Sequence, residues 1–320
     1  MNPPRTPRFI QRHVADVATE RGEIIAGLAQ RPARAAPKYF YDKLGSHLFE
    51  AITELPEYYP TRTEAAIFAA HGAAMAQRIG AGAALIDLGA GNCVKASRLF
   101  PLLEPTRYVA IDISVEFLHD ALRRVQREYP LLDVAGLGLD FSSTLDLPSG
   151  LGEGRNVFFY PGSSIGNFTP DEALAFLRRV RGHAAGGGLL IGVDLVKPAA
   201  VLEAAYDDGL GVTAAFNLNL LRQLNRVIGS DFDPTQWQHV ALFDAERSRI
   251  EMHLQARTAL TVQWPGGTRA FDRGERIHTE NSYKYSVDGF GALLDSAGFE
   301  TEQCWTDPQR WFAVFWASAR

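Results

Sequence analysis

The chain is poor in cysteine, with 2 among 320 residues, Cys93 and Cys304, far apart in sequence. That excludes a disulfide framework as the source of stability, and free thiols in a reducing cytoplasm are expected. A dominant charge is also missing. Lys and Arg number 32 against 37 Asp and Glu, a net charge of −5, so no general basic field exists to hold a nucleic-acid backbone. No apolar run approaches the ~20 residues of a membrane-spanning helix. The basic start, Arg5, Arg8 and Arg12 with His13 beside it, has no apolar centre. It predicts a solvated tail rather than a signal peptide. Internal repeats and low-complexity tracts are absent. What is present is ordinary for a globular protein, 46% hydrophobic and 22% charged, with ample material for a buried core. The length allows two domains, or one domain with a large insertion.

Within that frame, the stretch from Ile86 to Lys95 is the most informative. A short apolar run from Ala84 to Leu88 leads into Gly89-Ala90-Gly91, and a helical pattern follows. Strand, tight turn and helix in this order present a ligand at the carboxyl end of a parallel strand. Upstream, Thr63 to Ile79 has the apolar spacing of a helix. Downstream, further strands are predicted at 108–113, ending at Asp140, at 156–160 and at 189–193, with a helix from Val115 to Tyr129 between the first two. Thr169-Pro170-Asp171-Glu172 is a capping box that opens another helix. Five strands with short crossovers imply a parallel sheet covered on both faces.

The rhythm breaks over Lys197 to Tyr285, which is rich in Asn, Gln, Asp and aromatics. Alternating segments at 250–254 and 259–262 predict antiparallel strands there. A helix from Val287 to Ala297 and a strand pair at 300–306 and 311–318 close the chain. The expected organisation is a catalytic domain over 62–196 and 286–320, interrupted by an inserted α+β substrate-binding domain over 197–285. Residues 1–61 have no evident place in the sheet and are expected to join the insertion.

The turn lacks the third Gly of a dinucleotide fingerprint and the Gly-Lys-Ser/Thr of a P-loop. Its Asp-x-Gly-x-Gly pattern instead resembles the first motif of class I S-adenosylmethionine-dependent methyltransferases, which have a Rossmann-like, mostly parallel seven-stranded sheet. A terminal antiparallel pair is how that class ends. For S-adenosylmethionine, Gly89 and Gly91 permit close backbone approach. Asp112, at a strand end 23 residues after Gly89, is placed for the ribose hydroxyls, with helix capping as its alternative. Asp140 and Phe141 suit the adenine amine and ring, though such a Phe is often plain core. Lys95, at a helix start, can pair with the methionine carboxylate or simply be solvated. The loop from Tyr160 to Phe168, with Gly162, two Ser and Asn167, sits where acceptors bind in such folds. An Asn amide can serve both carboxylate and amine.

A longer resemblance runs through Phe40-Tyr41-Asp42-Lys43-Leu44-Gly45-Ser46, Leu55 to Glu64, Pro161 to Asn167, Asp194 to Lys197, Ala205 to Asp208, Thr213 to Asn217, Ile250-Glu251-Met252 and Thr279-Glu280-Asn281-Ser282. These segments, in this order, resemble the L-histidine Nα-methyltransferases of ergothioneine biosynthesis over nearly the whole chain from Pro37. The resemblance implies S-adenosylmethionine-dependent trimethylation of the histidine α-amine to hercynine, in the cytoplasm, by a monomer that handles histidine and its methylated intermediates. It implies no metal, nucleic-acid or membrane partner. Tyr58, Gly162, Asn167 and Tyr206 would hold the amino-acid backbone, and Tyr41 would approach the amine. Glu280 and Ser282, with Asn281 between them, would hold the imidazole, and Met252 and Phe216 would form the walls. A carboxylate and a hydroxyl match the one donor and one acceptor of neutral imidazole. Two rivals stand beside this reading: a same-fold N-methyltransferase for another amino acid or biogenic amine, and a non-catalytic ligand-binding module.

Overall fold

In the computed structural model, residues 4–12, 17–142, 144–184 and 186–319 are described; His13 lies outside them. The chain divides into two units. The first takes in the described residues of Met1–His13, Pro60–Val196 and Lys284–Arg320, and the second those of Val14–Tyr59 and Lys197–Tyr283.

The first unit is built on one eight-stranded sheet. Its spatial order is Arg8–Gln11, Asp133–Gly138, Arg107–Asp112, Ala84–Leu88, Asn156–Tyr160, Gly188–Asp194, Phe312–Ser318, Glu300–Thr306. The first six are mutually parallel, and Phe312–Ser318 runs antiparallel to both its neighbours. Strands Ala84–Leu88, Asn156–Tyr160 and Gly188–Asp194 are buried at every residue, which is why their sequences are apolar runs rather than alternations. Along Asn156–Tyr160, Phe158 and Tyr160 enter one core, and Val157 and Phe159 enter the other. Each such fully buried ring contributes about 1.5–3 kcal/mol. Helix Val115–Glu128 covers one face with Leu118, Ala121, Leu122 and Val125. Helix Pro170–His183 covers the other with Ala173, Phe176, Leu177 and Val180. The capping box at its start is formed: the Thr169 amide and hydroxyl both donate to Glu172, and the Glu172 amide donates back to Thr169 Oγ1.

The sheet corrects one expectation. Residues before Arg62 do have a place in it, because Arg8–Gln11 pairs in parallel with Asp133–Gly138 and raises the strand number from seven to eight. Arg8 is thus part of the sheet edge rather than of a solvated tail. The pairing has a local cause. Arg8 and Arg107 both bind the Asp133 carboxylate, at 3.1 and 2.6 Å, and Phe9 stacks on His119 with centroids 3.9 Å apart. Gly136 leaves the room, since a Cβ there would come within 2.8 Å of the Phe9 ring. Four residues with two of them polar carry no readable strand period.

The strand order reverses direction between Ala84–Leu88 and Asn156–Tyr160, the neighbours from which the chain winds outward both ways. Ligands of open parallel sheets bind at the carboxyl ends of the strands at such a point. The loops after these two strands, starting at Gly89 and Pro161, are therefore the expected ligand loops.

The chain leaves this unit after Val196 and returns at Lys284, and the two crossing points are fastened together. Val196 N donates to Tyr285 O and Tyr285 N to Asp194 O, both at 3.0 Å. Lys284 Nζ lies 2.8 Å from Asp194 Oδ2, with both side chains almost wholly buried.

The second unit has a four-stranded sheet in the order Ala33–Arg34, Arg276–Tyr283, Arg249–Ala256, Trp237–Asp244, plus a separate hairpin of Leu260–Trp264 and Gly267–Phe271. Helices Val17–Ala29, Lys43–Thr53, Ala199–Tyr206 and Val212–Ile228 complete it. The inserted segment thus opens with two helices before its antiparallel strands. The motif Asp42-Lys43-Leu44-Gly45 is a helix start. Asp42 accepts from Gly45 N at 2.7 Å and from the Asn219 amide at 2.9 Å. Any Cβ at Gly45 would collide with Phe40 O. Asp208 plays the same part for helix Val212–Ile228, accepting from the amides of Leu210, Val212 and Thr213.

Candidate active site

In the first unit the turn after Ala84–Leu88 is held by backbone and by one acid. Gly89 and Gly91 have φ of +70° and +50°, in the region where glycine alone is unstrained. Gly89 N and Ala90 N donate to Ile111 O. Asp112 accepts from Gly91 N through Oδ2 and from Ser114 N through Oδ1, both at 2.8 Å. Burial pushes the Asp112 carboxyl up, against the pull of those backbone donors. The capping alternative is therefore met in part, since one oxygen does serve the amide at a helix start.

Beneath the turn lies Asp87. Its Oδ2 accepts from the Tyr108 hydroxyl at 2.7 Å, and its buried Oδ1 has no partner among the described residues. Burial, helped by the charge of Asp112 and opposed by the Tyr108 bond, pushes its pKa up to about 7. Lys95 is in helix Val94–Ser97 and is paired: its Nζ lies 2.6 Å from Oε2 of Glu64. Glu64 Oε1 accepts from Gly162 N at 2.7 Å, so one carboxylate joins the two ligand loops. Asp140 accepts from the amide and hydroxyl of Ser142. The Phe141 ring stands against the turn, 3.6 Å from where a Gly89 Cβ would be, and edge-on to Tyr160 at 5.8 Å. In the acceptor loop, Gly162 and Ser163 are both left-handed, with φ of +76° and +60°. Asn167 ends the 3-10 turn Ser164–Asn167. The residues present fit S-adenosylmethionine. Nothing lies within 4 Å of a Cβ placed on Gly91, and an unpartnered buried carboxylate oxygen and an ammonium suit the ends of a methionyl group.

In the second unit, a cross-strand arrangement gathers the proposed imidazole-binding residues. Met252 is opposite Glu280, and the register shifts between His278 and Glu280. That bulge sets Glu280 and Ser282, two apart, on the Met252 face. Both are buried, at 8% and 4% exposure, and the Ser282 and Tyr206 hydroxyls are 2.7 Å apart. Tyr206 continues into an aromatic cluster. Ring centroids are 6.3 Å apart for Tyr206 and Tyr58, 6.3 Å for Tyr58 and Phe49, and 5.9 Å for Tyr41 with either Phe49 or Phe216. His239 supports Tyr206. Its Nδ1 receives the Asn217 amide at 2.8 Å, which leaves Nε2–H to donate to Tyr206 O at 2.7 Å. Burial lowers its pKa, consistent with the neutral tautomer.

Asn281 is not brought to this group. It alternates to the opposite face of its strand, pairs with Glu251 in register, and bonds to His278 Nε2 at 2.9 Å. Its side chain thus lies apart from Glu280 and Ser282, with which it was expected to act. Two residues of interest carried no role in the sequence reading. Glu64 belonged to a quoted motif, but its use as a bridge depends on a fold contact. Phe49 has the spacing of an ordinary apolar helix position, which does not separate a core ring from a ligand-facing one.

Comparison with known proteins gives the family. A family model described as histidine-specific methyltransferase, SAM-dependent, matches residues 20–319. Histidine N-alpha-methyltransferase of Mycobacterium tuberculosis (strain CDC 1551 / Oshkosh) is 41% identical over 90% of this chain and 91% of its own. The protein of the same name from Mycolicibacterium smegmatis (strain ATCC 700084 / mc(2)155) is 39% identical over 92% and 94%. Ergothioneine biosynthesis protein 1 of Neurospora crassa is 33% identical over 86% of this chain, though the match spans only 32% of that larger protein. With the class I sheet and the match to nearly its whole length, this chain belongs to the SAM-dependent histidine-specific methyltransferases.

Proposed function

We propose that this enzyme methylates the α-amino nitrogen of L-histidine three times to give hercynine, the opening step of ergothioneine biosynthesis, acting as a cytoplasmic monomer. The observation that carries the reading is the strand alternation that sets Glu280 and Ser282 on one face, turned toward Met252 by the bulge before Glu280, with Ser282 bonded to Tyr206. An acceptor carboxylate and a hydroxyl at that spacing complement a neutral imidazole. The names of the mycobacterial relatives support the nitrogen, and the Neurospora relative supports the pathway.

S-adenosylmethionine, when bound, supplies a methyl on a sulfonium, already activated for displacement. The chain supplies positioning. Asp112 would accept from the ribose hydroxyls, Asp140 and Phe141 would take the adenine, and Lys95 would meet the methionine carboxylate. Tyr58, Gly162, Asn167 and Tyr206 would hold the amino-acid backbone, with Tyr41 near the amine. Alignment of this kind can supply about 7–11 kcal/mol of a barrier. The amine must lose a proton before each transfer; the α-amine of a peptide terminus has a pKa of roughly 7.7–8 and that of a free amino acid lies somewhat higher, so a modest depression in the site suffices. After each transfer the head group is more bulky and finally permanently cationic. Faces of Tyr41, Phe49 and Phe216 favour such a group by about 0.5–2 kcal/mol each.

The test is mass spectrometry of histidine incubated with the enzyme and excess S-adenosylmethionine. The expected product is 42 Da heavier, about three CH₂ increments at ~14 Da each, located on the α-nitrogen. Monomethylhistidine as the end product, or no turnover, would refute the assignment.

A further inference from the structure

Glu64 is an acid that the reaction has no evident use for, in a place that is costly for an acid. It is 1% exposed, and an unpaired carboxylate there would be strongly disfavoured. The fold has made a seat for it. A Cβ on Gly192 would collide with Glu64 Oε1, so strand Gly188–Asp194, buried throughout, carries a glycine where glycine normally weakens a strand. The seated carboxylate has two partners, each from a different ligand loop: Lys95 Nζ at 2.6 Å and Gly162 N at 2.7 Å. The two partners are themselves close, with Lys95 Nζ only 3.1 Å from where a Gly162 Cβ would stand. The left-handed pair Gly162 and Ser163 is fixed on its other side by Asp194 N, which donates to Ser163 Oγ at 2.8 Å.

An ammonium has three donors. Glu64 takes one and leaves two for an anionic ligand, so the ion pair locates the Lys95 charge without using it up. The same carboxylate locates the amide of Gly162. We propose that Glu64 is a positioning residue that couples the two loops, so that binding of the S-adenosyl ligand at Lys95 favours binding of the acceptor amino acid at the Gly162 loop. The proposal rests on the assignment of that loop to histidine. A plain stabilising ion pair would make no such coupling.

The experiment measures histidine binding by calorimetry with and without saturating S-adenosylhomocysteine, for wild type, Glu64→Gln and Gly192→Ala, together with kcat, KM and Tm. Glu64→Gln keeps the volume but turns an NH₂ toward an existing donor. Gly192→Ala keeps the acid and displaces it, so the two variants reach the same contact by different routes. Wild type is expected to bind histidine more tightly with S-adenosylhomocysteine present, by a factor within the roughly 5–150-fold usual for coupled sites. Both variants should bring that factor close to one and reduce kcat by about 10–100-fold, more than they raise KM. Variants that keep the wild-type coupling factor and kcat, with only a lower Tm, would overturn the role of Glu64 while leaving the functional reading intact. Wild type that methylates histidine without any coupling would also overturn it. Wild type that neither binds nor methylates histidine would overturn the functional reading and this proposal with it.

Discussion

Lowering the pH from 7.5 to 6 should weaken S-adenosylmethionine binding about eightfold, through Asp87. Burial holds this carboxyl up at about 7, and its unpartnered Oδ1 would, when ionised, attract the cationic methionyl end of the cofactor. If only that form binds, the apparent Kd scales as one plus the ratio of protonated to ionised Asp87. The factor is about 1.3 at pH 7.5 and about 11 at pH 6, a ratio near 8 or about 1.3 kcal/mol. Acid unfolding at this site does not mimic the effect. The folded pKa lies above the ordinary 3.8, so the folded state binds the extra proton, and this group's penalty to stability shrinks as pH falls from 7 toward 3.8. Calorimetric titration at constant ionic strength at pH 6, 6.5, 7 and 7.5 gives the curve. Asp87→Asn, which keeps an acceptor for the Tyr108 hydroxyl, should bind weakly and with no pH dependence across the same range. A flat wild-type curve, or a mutant that titrates like wild type, would refute the argument.

Other outcomes are expected from the same geometry. Asp112→Ala should weaken S-adenosylmethionine binding by roughly 1.5–3 kcal/mol, and wild-type affinity in a folded variant would remove Asp112 from the site. Glu280→Ala should raise the histidine KM while leaving cofactor affinity unchanged; unaltered histidine kinetics would count against the imidazole assignment. Tyr206→Phe removes the bond to Ser282 and should raise the histidine KM by about 5–10-fold, the 1–1.5 kcal/mol of a typical hydrogen bond, with little change in Tm. His253 is held down to about 4, by burial first and by His278 beside it, against the pull of Glu251. Its folded pKa is below the unfolded value, so stability present above pH 6.5 is lost as pH falls, by about 2 kcal/mol at pH 5. Urea midpoints at pH 7.5 and 5 should therefore fall less in His253→Gln than in wild type, and equal shifts would exclude His253.

Much of the first unit was legible because its strands are short apolar runs and its turns have marked residues. Ala84–Leu88, Glu300–Thr306 and the capping box at Thr169 were all visible as local patterns. The strand at Arg8–Gln11 was not, since its stability lies in Asp133, His119 and the bare Cα of Gly136, more than a hundred residues away. In the site, types of residue were readable and their partners were not. Lys95 read as a partner for the methionine carboxylate or a solvated charge, and its bond to Glu64 was not visible. Asn281 read with Glu280 and Ser282 because it stands between them in sequence, yet the period of two in a strand puts it on the opposite face; what a local pattern does not show is the bulge before Glu280, which sets Glu280 opposite Met252 and His278 on the side of Asn281.

The fastening of Asp194 and Val196 to Lys284 and Tyr285 has a consequence for how such enzymes diversify. Closing a long loop costs an entropy that grows only as the logarithm of its length, about 0.6 kcal/mol per doubling. Once the ends are pinned by main-chain bonds and a buried ion pair, the sheet is nearly indifferent to what is threaded between them. The inserted segment can then be lengthened or redesigned as a cassette wherever its pairing with Ala33–Arg34 and its bond to Asp42 are kept, with the methyl-donor half as a constant chassis. Chimeras cut just outside these pinned residues would keep the chassis intact, whereas cuts inside Asp194–Val196 would sever the clasp itself.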